Sequence, residues 1–412
     1  MRIVYYVVGW PPDRFPNGIV TASECVSAAL RRAGHEAHIL AMEGAPRAGE
    51  NHVSIINCAG APLADYAGRI GRRFSRFGAT LDAPARKIAD AVNRSETLGA
   101  ADIVEMEESF GWSRIVARRL AQPVVTRLHG PYFLTGGAAS GGTFSRFDQE
   151  RIRREGAAIG SAELITAPSR FVLGAVREKY RRALEEAVII PNPAETVEAG
   201  LRWRLEGADP DEILFVGRFD RIKGADILLA AFAELAADYP RLRLTFAGPA
   251  DAPIGIGARR LDRAAFLKEI MPPEAAARVD FLGLVSRREL STLRARARLT
   301  VVASRIEMFA NVLLEAMAHA SPVVATKVGG MPEMARAGED ALLAEPDAGA
   351  LAAAIKSLLD HPDRAARIAE SGHKRVISEF APERVADLTL AAYTEVLARR
   401  RRSGAARKAG AR

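Results

Sequence analysis

The sequence predicts an α/β protein with two doubly wound domains, and three observations support this fold class. Apolar runs of strand length alternate with segments of helical spacing in residues 1–193, which is typical of a parallel sheet covered on both faces. The alternation lapses in residues 194–211, which are polar and irregular. It then restarts and continues to about residue 380, so we expect a second domain of the same class.

The first domain, residues 1–193, begins with the strand RIVYYVV, and a loop that contains Gly18 follows it. Residues 20–33 have helical spacing, and Gly34 stands where a helix commonly ends. The other runs predicted as strands are AHILAM, VSIINC, DIVEM, PVVTRLHG, ELITAPS and AVIIPNP. Helix-like segments separate several of these runs, as doubly wound folds require.

After a linker at 194–211, the second domain is predicted over residues 212–380. Its predicted strands are ILFVGR, LRLTFAG, VDFLG, LTVVAS and PVVATKV, each followed by a helix. One last helix is expected over residues 381–400, where apolar residues recur at helical spacing. Two such domains generally bind their ligand in a cleft at the carboxyl ends of the strands.

Composition places the chain among ordinary globular proteins. It has 412 residues, of which 49% are hydrophobic and 26% are charged. We expect no secretory leader, because the strand RIVYYVV follows Met1 directly, and no apolar run approaches the ~18 residues of a membrane span. The only cysteines are Cys25 and Cys58, which favours a reducing cytoplasm over a disulfide framework.

The net charge of +8 is concentrated at the C-terminus, where the last 14 residues hold seven Lys or Arg and no acid. Residues 401–412 are therefore predicted to be a disordered basic tail. A solvated terminus explains it, and so does contact with acidic lipid headgroups or nucleic acid. Without a recognition module or aromatic residues among the basic ones, no nucleic-acid partner is expected.

The stretch ILFVGRFDRIKGAD indicates a phosphate site. Arg218 and Lys223 stand with Gly217 and Gly224 between a strand and a helix. The glycines let the backbone approach an anion, the helix N-terminus favours negative charge, and Arg can donate two hydrogen bonds at once. The alternative is a surface turn with two solvated cations.

The stretch SRIEMFANVLLEAMAHA places two carboxylates around a helix start. Glu307 lies in the loop before the helix, and the amides of Phe309, Ala310 and Asn311 fall at its first turn, where they lack intrahelical partners. Glu315 shares a face with Asn311 and is placed to accept two ribose hydroxyls. The alternative for Glu315 is an ion pair with an arginine such as Arg218 or Arg305.

Two strand-end features of the first domain complete the candidate site. His129 and Gly130 end the strand PVVTRLHG, where a histidine faces the expected cleft. A structural role for His129 is the alternative. The loop PNGIV, with Asn17 and Gly18, lacks the three-glycine dinucleotide fingerprint, which disfavours a nicotinamide dehydrogenase.

At these residues the chain resembles the family 4 retaining glycosyltransferases, over about residues 1–400. The similarity implies the GT-B fold: two Rossmann-like domains that face a cleft, with the C-terminal helix crossing back to the first domain. The most specific motif is Glu307 and Glu315, separated by seven residues within EMFANVLLEAMA. The other matching motifs, in chain order, are Gly18, His129-Gly130, PSRFV with Ser169, IPNP, VGRFDRIKGAD, AGP with Gly248, FLGLVSRREL with Gly283, and SPVVATKVGGMPEM.

The resemblance implies a nucleotide-sugar donor, UDP- or GDP-linked, that is a substrate rather than a cofactor, and no bound metal ion. Arg218 and Lys223 would neutralise its diphosphate, Glu307 would hold sugar hydroxyls, Glu315 the ribose, and His129 would touch the sugar. The implied catalytic residues are Glu307, His129, Arg218 and Lys223. The implied donor-binding residues are Gly18, Arg218, Lys223, Gly283, Glu307, Phe309, Ala310, Asn311 and Glu315. Ala310 departs from the family's EGFG motif, which reads EMFA here.

The acceptor implied by the resemblance is a glycan, a lipid-linked molecule or a small molecule. Residues 68–77, GRIGRRFSRF, have the pattern of a helix on a membrane surface, and equally that of a helix packed on its own sheet. The protein would then be cytoplasmic and peripheral at the inner face of the membrane, through this segment or the basic tail. Glu105, Glu107, Glu108 and Trp112 are expected either to bind acceptor hydroxyls or to cap the next helix.

Two rival functions remain on the same fold. A nucleotide-sugar 2-epimerase would bind the donor but need no acceptor. A non-catalytic sugar-nucleotide-binding protein is the other, although the presence of all four charged residues (Arg218, Lys223, Glu307 and Glu315) argues against it.

Overall fold

The computed structural model describes residues 1–15, 17–56, 77–139, 143–256 and 259–409. The chain forms two compact units. The N-terminal unit comprises Met1–Pro193 together with Pro382–Arg412, and the C-terminal unit is Ala194–Ala381. Residues 68–76 of the segment considered above for membrane contact lie outside the described part of the chain, and Phe77 begins a helix.

A parallel sheet of seven strands organises the N-terminal unit, in the spatial order β3-β2-β1-β4-β5-β6-β7. Apolar residues fill its strands because helices cover both faces, as the sequence predicted. The strands are β1 (Arg2–Trp10), β2 (Glu36–Gly44), β3 (Val53–Ile55), β4 (Ile103–Glu107), β5 (Val124–Arg127), β6 (Leu164–Ala167) and β7 (Val188–Ile189).

Helices α1 to α7 connect these strands, and a C-terminal helix, α16 (Pro382–Ala409), joins the same unit. Val385 and Tyr393 of α16 are buried in one core with residues of β1 and α1, which confirms the helix predicted to return to the first domain. The connecting helices are α1 (Gly18–Arg32), α2 (Phe77–Arg94), α3 (Glu96–Gly99), α4 (Trp112–Ala117), α5 (Tyr132–Ala139), α6 (Arg146–Ile159) and α7 (Arg170–Tyr180).

A second parallel sheet, of six strands, organises the C-terminal unit in the order β12-β9-β8-β13-β14-β15. The adjacent strands β8, β13 and β14 all end at the same edge, so the loops that follow them are neighbours. A separate antiparallel hairpin pairs β10 (Ile254–Ile256) with β11 (Arg259–Leu261). The sheet strands are β8 (Asp209–Val216), β9 (Arg243–Ala247), β12 (Val279–Gly283), β13 (Ala297–Val302), β14 (Val323–Thr326) and β15 (Leu342–Ala344).

Helices cover both faces of this sheet as well, so the doubly wound class predicted for both domains is confirmed. Strand β13 is buried along its whole length, and four of its six residues, Ala297, Leu299, Val301 and Val302, are apolar. The helices are α8 (Ala225–Asp238), α9 (Arg263–Ile270), α10 (Pro273–Ala276), α11 (Arg287–Arg296), α12 (Asn311–Ala318), α13 (Met331–Met334), α14 (Ala348–Asp360) and α15 (Pro362–Arg375).

Two features differ from the sequence-based expectation. The segment predicted as a linker packs on the C-terminal unit: Trp203 is buried, and its backbone N–H donates to the His319 carbonyl at 2.7 Å. Helix α16 continues to Ala409, so residues 401–409, for which disorder was predicted, are helical. Alanine and arginine are strong helix formers, and a preceding helix removes the cost of nucleation. In the described residues, no helix is both long and apolar enough to cross a bilayer.

Candidate functional site

The loop after β8 carries both predicted phosphate-binding cations, and Asp220 shapes it. Arg218 Nε lies 2.7 Å from Asp220 Oδ2, and the Lys223 backbone N–H donates to Asp220 Oδ1 at 2.7 Å. The Arg218 side chain is 59% exposed, whereas that of Lys223 is 27% exposed. The loop therefore exposes the Arg218 side chain to solvent and keeps most of the Lys223 side chain buried.

Glu307, in the loop after β13, meets Lys223 directly. Its Oε1 accepts a hydrogen bond from Lys223 Nζ and another, at 3.0 Å, from the Ser304 hydroxyl. The Glu307 side chain is only 11% exposed, and a carboxylate so far removed from water requires such donors. The structure thus brings together two charged residues that the sequence assigned to separate motifs.

Glycines allow the loops after β8 and β14 to touch the loop after β13, which carries Glu307. The Gly330 N–H donates to the Glu307 carbonyl at 3.0 Å. Gly329 has φ +56°, and a Cβ there would lie 1.8 Å from the same carbonyl oxygen. Gly224, with φ +71°, would place a Cβ 1.7 Å from the Ala303 carbonyl oxygen. Only glycine permits these approaches, which fix the position of Glu307.

Helix α12 begins at Asn311, with Ala310 as its N-cap residue. Phe309, Ala310 and Asn311 therefore stand at the helix N-terminus, as predicted. The Ala310 N–H, however, donates to the Met334 thioether at 3.3 Å and is buried. This acceptor lies outside α12, so it does not conflict with the expectation that the amide lacks an intrahelical partner, and sulfur is a weak acceptor.

Glu315 forms an ion pair with Arg294 of α11, so the alternative of an arginine ion pair is present, although the partner is neither Arg218 nor Arg305. Arg294 is the more deeply buried partner, with a side chain 5% exposed against 37% for Glu315. Arg305 pairs instead with Asp226, at 2.8 Å between Nη2 and Oδ2. The remaining exposed part of the Glu315 carboxylate is available to a further donor.

Gly283 lies at a strand end of the C-terminal unit, as the sequence predicted, whereas Gly18 of the N-terminal unit, expected in a loop, begins a helix. Gly283 ends β12 with φ +68°, and its carbonyl accepts the Gly248 N–H at 2.8 Å. Gly18 is the first residue of α1. Asn17 precedes it in an extended conformation and caps the helix, accepting the Ile19 N–H at 2.9 Å.

His129 follows β5 in the N-terminal unit and is half-buried. Its side chain lines a cavity of about 10 Å³, with Tyr5, Glu105 and Arg127 among the other lining residues. That volume holds about one water molecule. Burial and the nearby Arg127 guanidinium lower the pKa of His129 well below its usual value, so the imidazole is neutral at physiological pH.

Glu105 and Glu107 of β4, and Glu108 just after it, are buried, which removes them from the acceptor-binding role considered for them. Glu105 accepts from the Tyr393 hydroxyl of α16, and Glu108 accepts the His129 N–H at 3.0 Å. Trp112 Nε1 donates to the Leu81 carbonyl at 2.8 Å. Despite this acidic cluster, no group of side chains in the described ranges is arranged to hold a metal ion.

Several partners of the predicted site residues cannot be identified from the sequence. Arg294 is one of several arginines in α11, and only packing decides which one points inward. Met334 is 24 residues from Ala310 in the chain. The contact of Ser304 with Glu307 is predictable from the sequence, because a hydroxyl three residues before a loop carboxylate can reach that carboxylate.

Two family profiles match the chain, one in each unit. The profile described as Glycosyltransferase Family 4 matches residues 16–198. The profile described as Glycosyl transferases group 1 matches residues 210–361. Together they include all the predicted site residues.

Individual relatives each match a smaller part of the chain than the two profiles do together. A glycogen synthase of Mycobacterium tuberculosis is 30% identical over 219 residues, which are 53% of this chain and 50% of that protein. A D-inositol 3-phosphate glycosyltransferase of Segniliparus rotundus is 31% identical over 310 residues, 70% of this chain and 64% of that protein. The chain spans about half the length of the first of these relatives.

Solved structures share the fold at low sequence identity. Sucrose-phosphate synthase from Thermosynechococcus elongatus superposes with a TM-score of 0.69 at 22% identity, covering 96% of this chain and 99% of that one. The HepE protein of Anabaena, in complex with UDP and glucose, gives 0.67 at 18% identity, covering 96% and 99%. These likenesses establish the GT-B fold predicted from the sequence.

Proposed function

The chain belongs to the group 1, family 4 glycosyltransferases, and on that premise we propose that it moves a sugar from a nucleotide-sugar donor to an acceptor with retention of anomeric configuration. The observation that carries the proposal is the contact of Lys223 Nζ with Glu307 at the strand ends of the C-terminal unit. A family profile covers both residues.

The chemistry of donor cleavage explains why this pair suits the reaction. A nucleoside diphosphate leaves with developing negative charge, which fixed cations stabilise most in a water-poor site. Lys223, held between Asp220 and Glu307, is such a cation, and the exposed guanidinium of Arg218 can donate two hydrogen bonds to phosphate oxygens. We propose these two residues as the diphosphate ligands.

We propose separate carboxylates for the sugar and for the ribose of the donor. We propose that Glu307 accepts hydroxyls of the transferred sugar, since its second oxygen can accept while Oε1 holds Lys223 and Ser304. Glu315 would accept the ribose hydroxyls, and Gly283, Gly18 and the start of α12 would contact the donor. For His129 we propose contact with the sugar. The neutral imidazole is able to donate or accept one hydrogen bond.

For the donor we propose a UDP-sugar first and a GDP-sugar second. The HepE structure with the same fold holds UDP and glucose, which supports a uridine nucleotide. For the acceptor we propose a glycan, a lipid-linked molecule or a small molecule, on the cytoplasmic side. Peripheral attachment to the inner membrane face, through residues 68–77 or the basic tail, is part of the proposal for a lipid-linked acceptor only.

A donor panel tests the proposal. UDP-, GDP- and ADP-sugars are incubated with the protein, with and without crude lipid or glycan fractions, and nucleoside diphosphate release is measured. Proton NMR of the product gives its anomeric configuration. We expect release that depends on an acceptor, and a product with the configuration of the donor.

The same assay separates the rival functions. Interconversion of the donor sugar at C2 without an acceptor would identify an epimerase. Binding of a sugar nucleotide without any turnover would identify a non-catalytic protein. An inverted product, or no binding of any sugar nucleotide, would contradict the proposed function.

A further inference from the structure

We propose that Glu108 is a positioning residue for His129: its carboxylate holds the backbone turn that presents the imidazole. The inference rests on the function proposed above, in which His129 contacts the sugar. Glu108 itself touches no substrate, because its side chain lies inside the N-terminal unit with the residue only 1% exposed.

The Glu108 carboxylate accepts two hydrogen bonds from the turn that follows β5. Glu108 Oε2 accepts the His129 N–H at 3.0 Å, and Oε1 accepts the Gly130 N–H at 2.9 Å. Strands β4 and β5 are adjacent, so a residue just past the end of β4 reaches the loop that follows β5. Both carboxylate oxygens are thus committed to consecutive amides, which fixes the orientation of the peptide between them.

A second buried carboxylate holds the other end of the same turn. Glu155 of α6, 0% exposed, accepts the Tyr132 N–H at 2.8 Å and the Phe110 N–H at 3.2 Å. Arg151 Nε donates to the same carboxylate at 2.8 Å. Residues 129–132 are therefore held between two acidic groups, whereas loops at strand ends usually move more freely.

The protonation state of Glu108 matters to this geometry. An ionised carboxylate accepts at both oxygens, whereas a protonated one carries a hydrogen that opposes one of the two N–H donors. Burial, followed by repulsion from Glu155 and Glu107, raises the pKa of Glu108 to about 8. The turn should therefore loosen as the pH falls below about 8.

Charged and titratable groups surround Glu108 on each element packed against it. They are Glu107 of β4, Glu155 and Arg151 of α6, Tyr180 of α7, and His129 with Arg127 on the β5 side. Burial raises the pKa of Glu107 to about 7. Arg151 stands 4.0 Å from the ring centroids of both Phe110 and Tyr132, which fixes its position. Two acids therefore titrate here around neutral pH.

Steady-state kinetics from pH 6 to pH 9 test the role of Glu108. For the unmodified protein we expect kcat to rise with pH, with a midpoint near the Glu108 pKa of about 8. Glu108→Gln should lower kcat by about 10- to 100-fold with the donor KM changed by less than about 3-fold, and it should flatten the profile. Glu155→Gln should move the midpoint to lower pH, because it removes a like charge.

Glu150→Gln, on the outer side of α6, is the control and should keep the original profile, because Glu150 contacts Arg153 rather than the cluster. Melting temperatures are measured for every variant. A folded Glu108→Gln protein with the original kcat and profile would overturn the inference.

Amide hydrogen exchange of the unmodified protein gives a readout that needs neither a variant nor turnover. The peptide spanning residues 128–131 should lose about tenfold protection between pH 9 and pH 6.5, after correction for intrinsic exchange, as the Glu108 contact weakens. Constant protection would overturn the inference even if Glu108→Gln fails to fold. A protein that turns over no sugar nucleotide, yet shows this exchange change, would refute the proposed function and retain the Glu108–turn contact.

Discussion

Lys223 Nζ contacts Glu307 Oε1, although the two residues are 84 positions apart and follow different strands. The contact positions two long side chains that would otherwise be free. An unconstrained lysine loses up to about 2 kcal/mol of side-chain entropy when a ligand immobilises it, so prior fixation lowers the cost of binding a diphosphate. The position of Glu307 is in turn set by the glycine contacts behind it.

Gly329→Ala should therefore destabilise the folded protein strongly. The new Cβ would lie 1.8 Å from the Glu307 carbonyl oxygen, in addition to the strain of φ +56°. Urea unfolding should show a loss of about 2–4 kcal/mol, and donor turnover should fall with it. Gly338→Ala is the matched control, since φ is +80° but no atom lies within 4 Å, and it should cost only about 1 kcal/mol. Equal losses in the two variants would show that close approach is unimportant.

Glu315→Gln separates the ribose role from a purely structural one. The amide can still accept a hydrogen bond from Arg294, but it loses the charge and part of the capacity to accept from a diol. The donor KM should rise about 5- to 50-fold while kcat changes less. Glu339→Gln, an exposed partner of Arg336, is the control. An unaltered KM would show that Glu315 has only the structural role of pairing with Arg294.

Tyr393→Phe tests how α16 is attached. The variant removes the only hydroxyl that donates to Glu105 in the contacts of the described residues, and Glu105 is 7% exposed. Burial also raises the pKa of Glu105. A buried acceptor left without its donor costs about 1–3 kcal/mol of unfolding free energy. Tyr239→Phe breaks an exposed hydroxyl contact to Asp360 and should cost less than about 0.5 kcal/mol. Comparable losses by chemical denaturation would contradict this difference.

The free energy of unfolding should fall as the pH rises from about 6.5 to about 8.5. Glu107 and Glu108 have folded-state pKa values of about 7 and about 8, chiefly because they are buried. Raised carboxyl pKa values mean that the folded state binds more protons than the unfolded state in this range. The stability due to those protons is complete below the unfolded pKa of about 4.5 and is lost as the pH rises through the folded values.

Below about pH 6.5 the half-buried histidines His38 and His129 act in the opposite direction. The pKa of His38 falls to about 4, mainly through burial, and that of His129 is also lowered. Their stabilising effect is lost as the pH falls from the unfolded value towards the folded ones. Thermal melts across pH 5–9 should show Glu108→Gln with a shallower decline above pH 6.5. A rise in melting temperature from pH 6.5 to pH 8.5 would contradict the assignment of raised carboxyl pKa values.

Strand runs and motif spacing were sufficient to predict the two doubly wound sheets and the returning helix. A fully buried strand such as β13 is mostly apolar, although it contains Arg298 and Thr300, so its pattern is visible without a structure. Strand-end positions of Lys223 and Glu307 also follow from topology, because neighbouring parallel strands end at the same edge.

Partners of charged side chains were not predictable in the same way. Glu315 meets Arg294 rather than Arg218 or Arg305, because the inward face of α11 depends on tertiary packing. Glu105 and Glu108 resembled sugar ligands in the sequence, but the structure buries them against Tyr393 and the His129 turn. A pattern cannot distinguish a polar residue that contacts solvent from one that satisfies backbone amides inside the unit.

Donor turnover by charge-removing variants tests the central claim most directly. Lys223→Ala and Glu307→Ala should each lower kcat/KM for the preferred nucleotide sugar by about 10²-fold or more, because each removes an interaction with the donor. Lys356→Ala removes an exposed lysine, which contacts Tyr239 and Asp360, and should leave turnover unchanged. Folded Lys223→Ala and Glu307→Ala proteins that turn over the donor as fast as Lys356→Ala would contradict the proposed site.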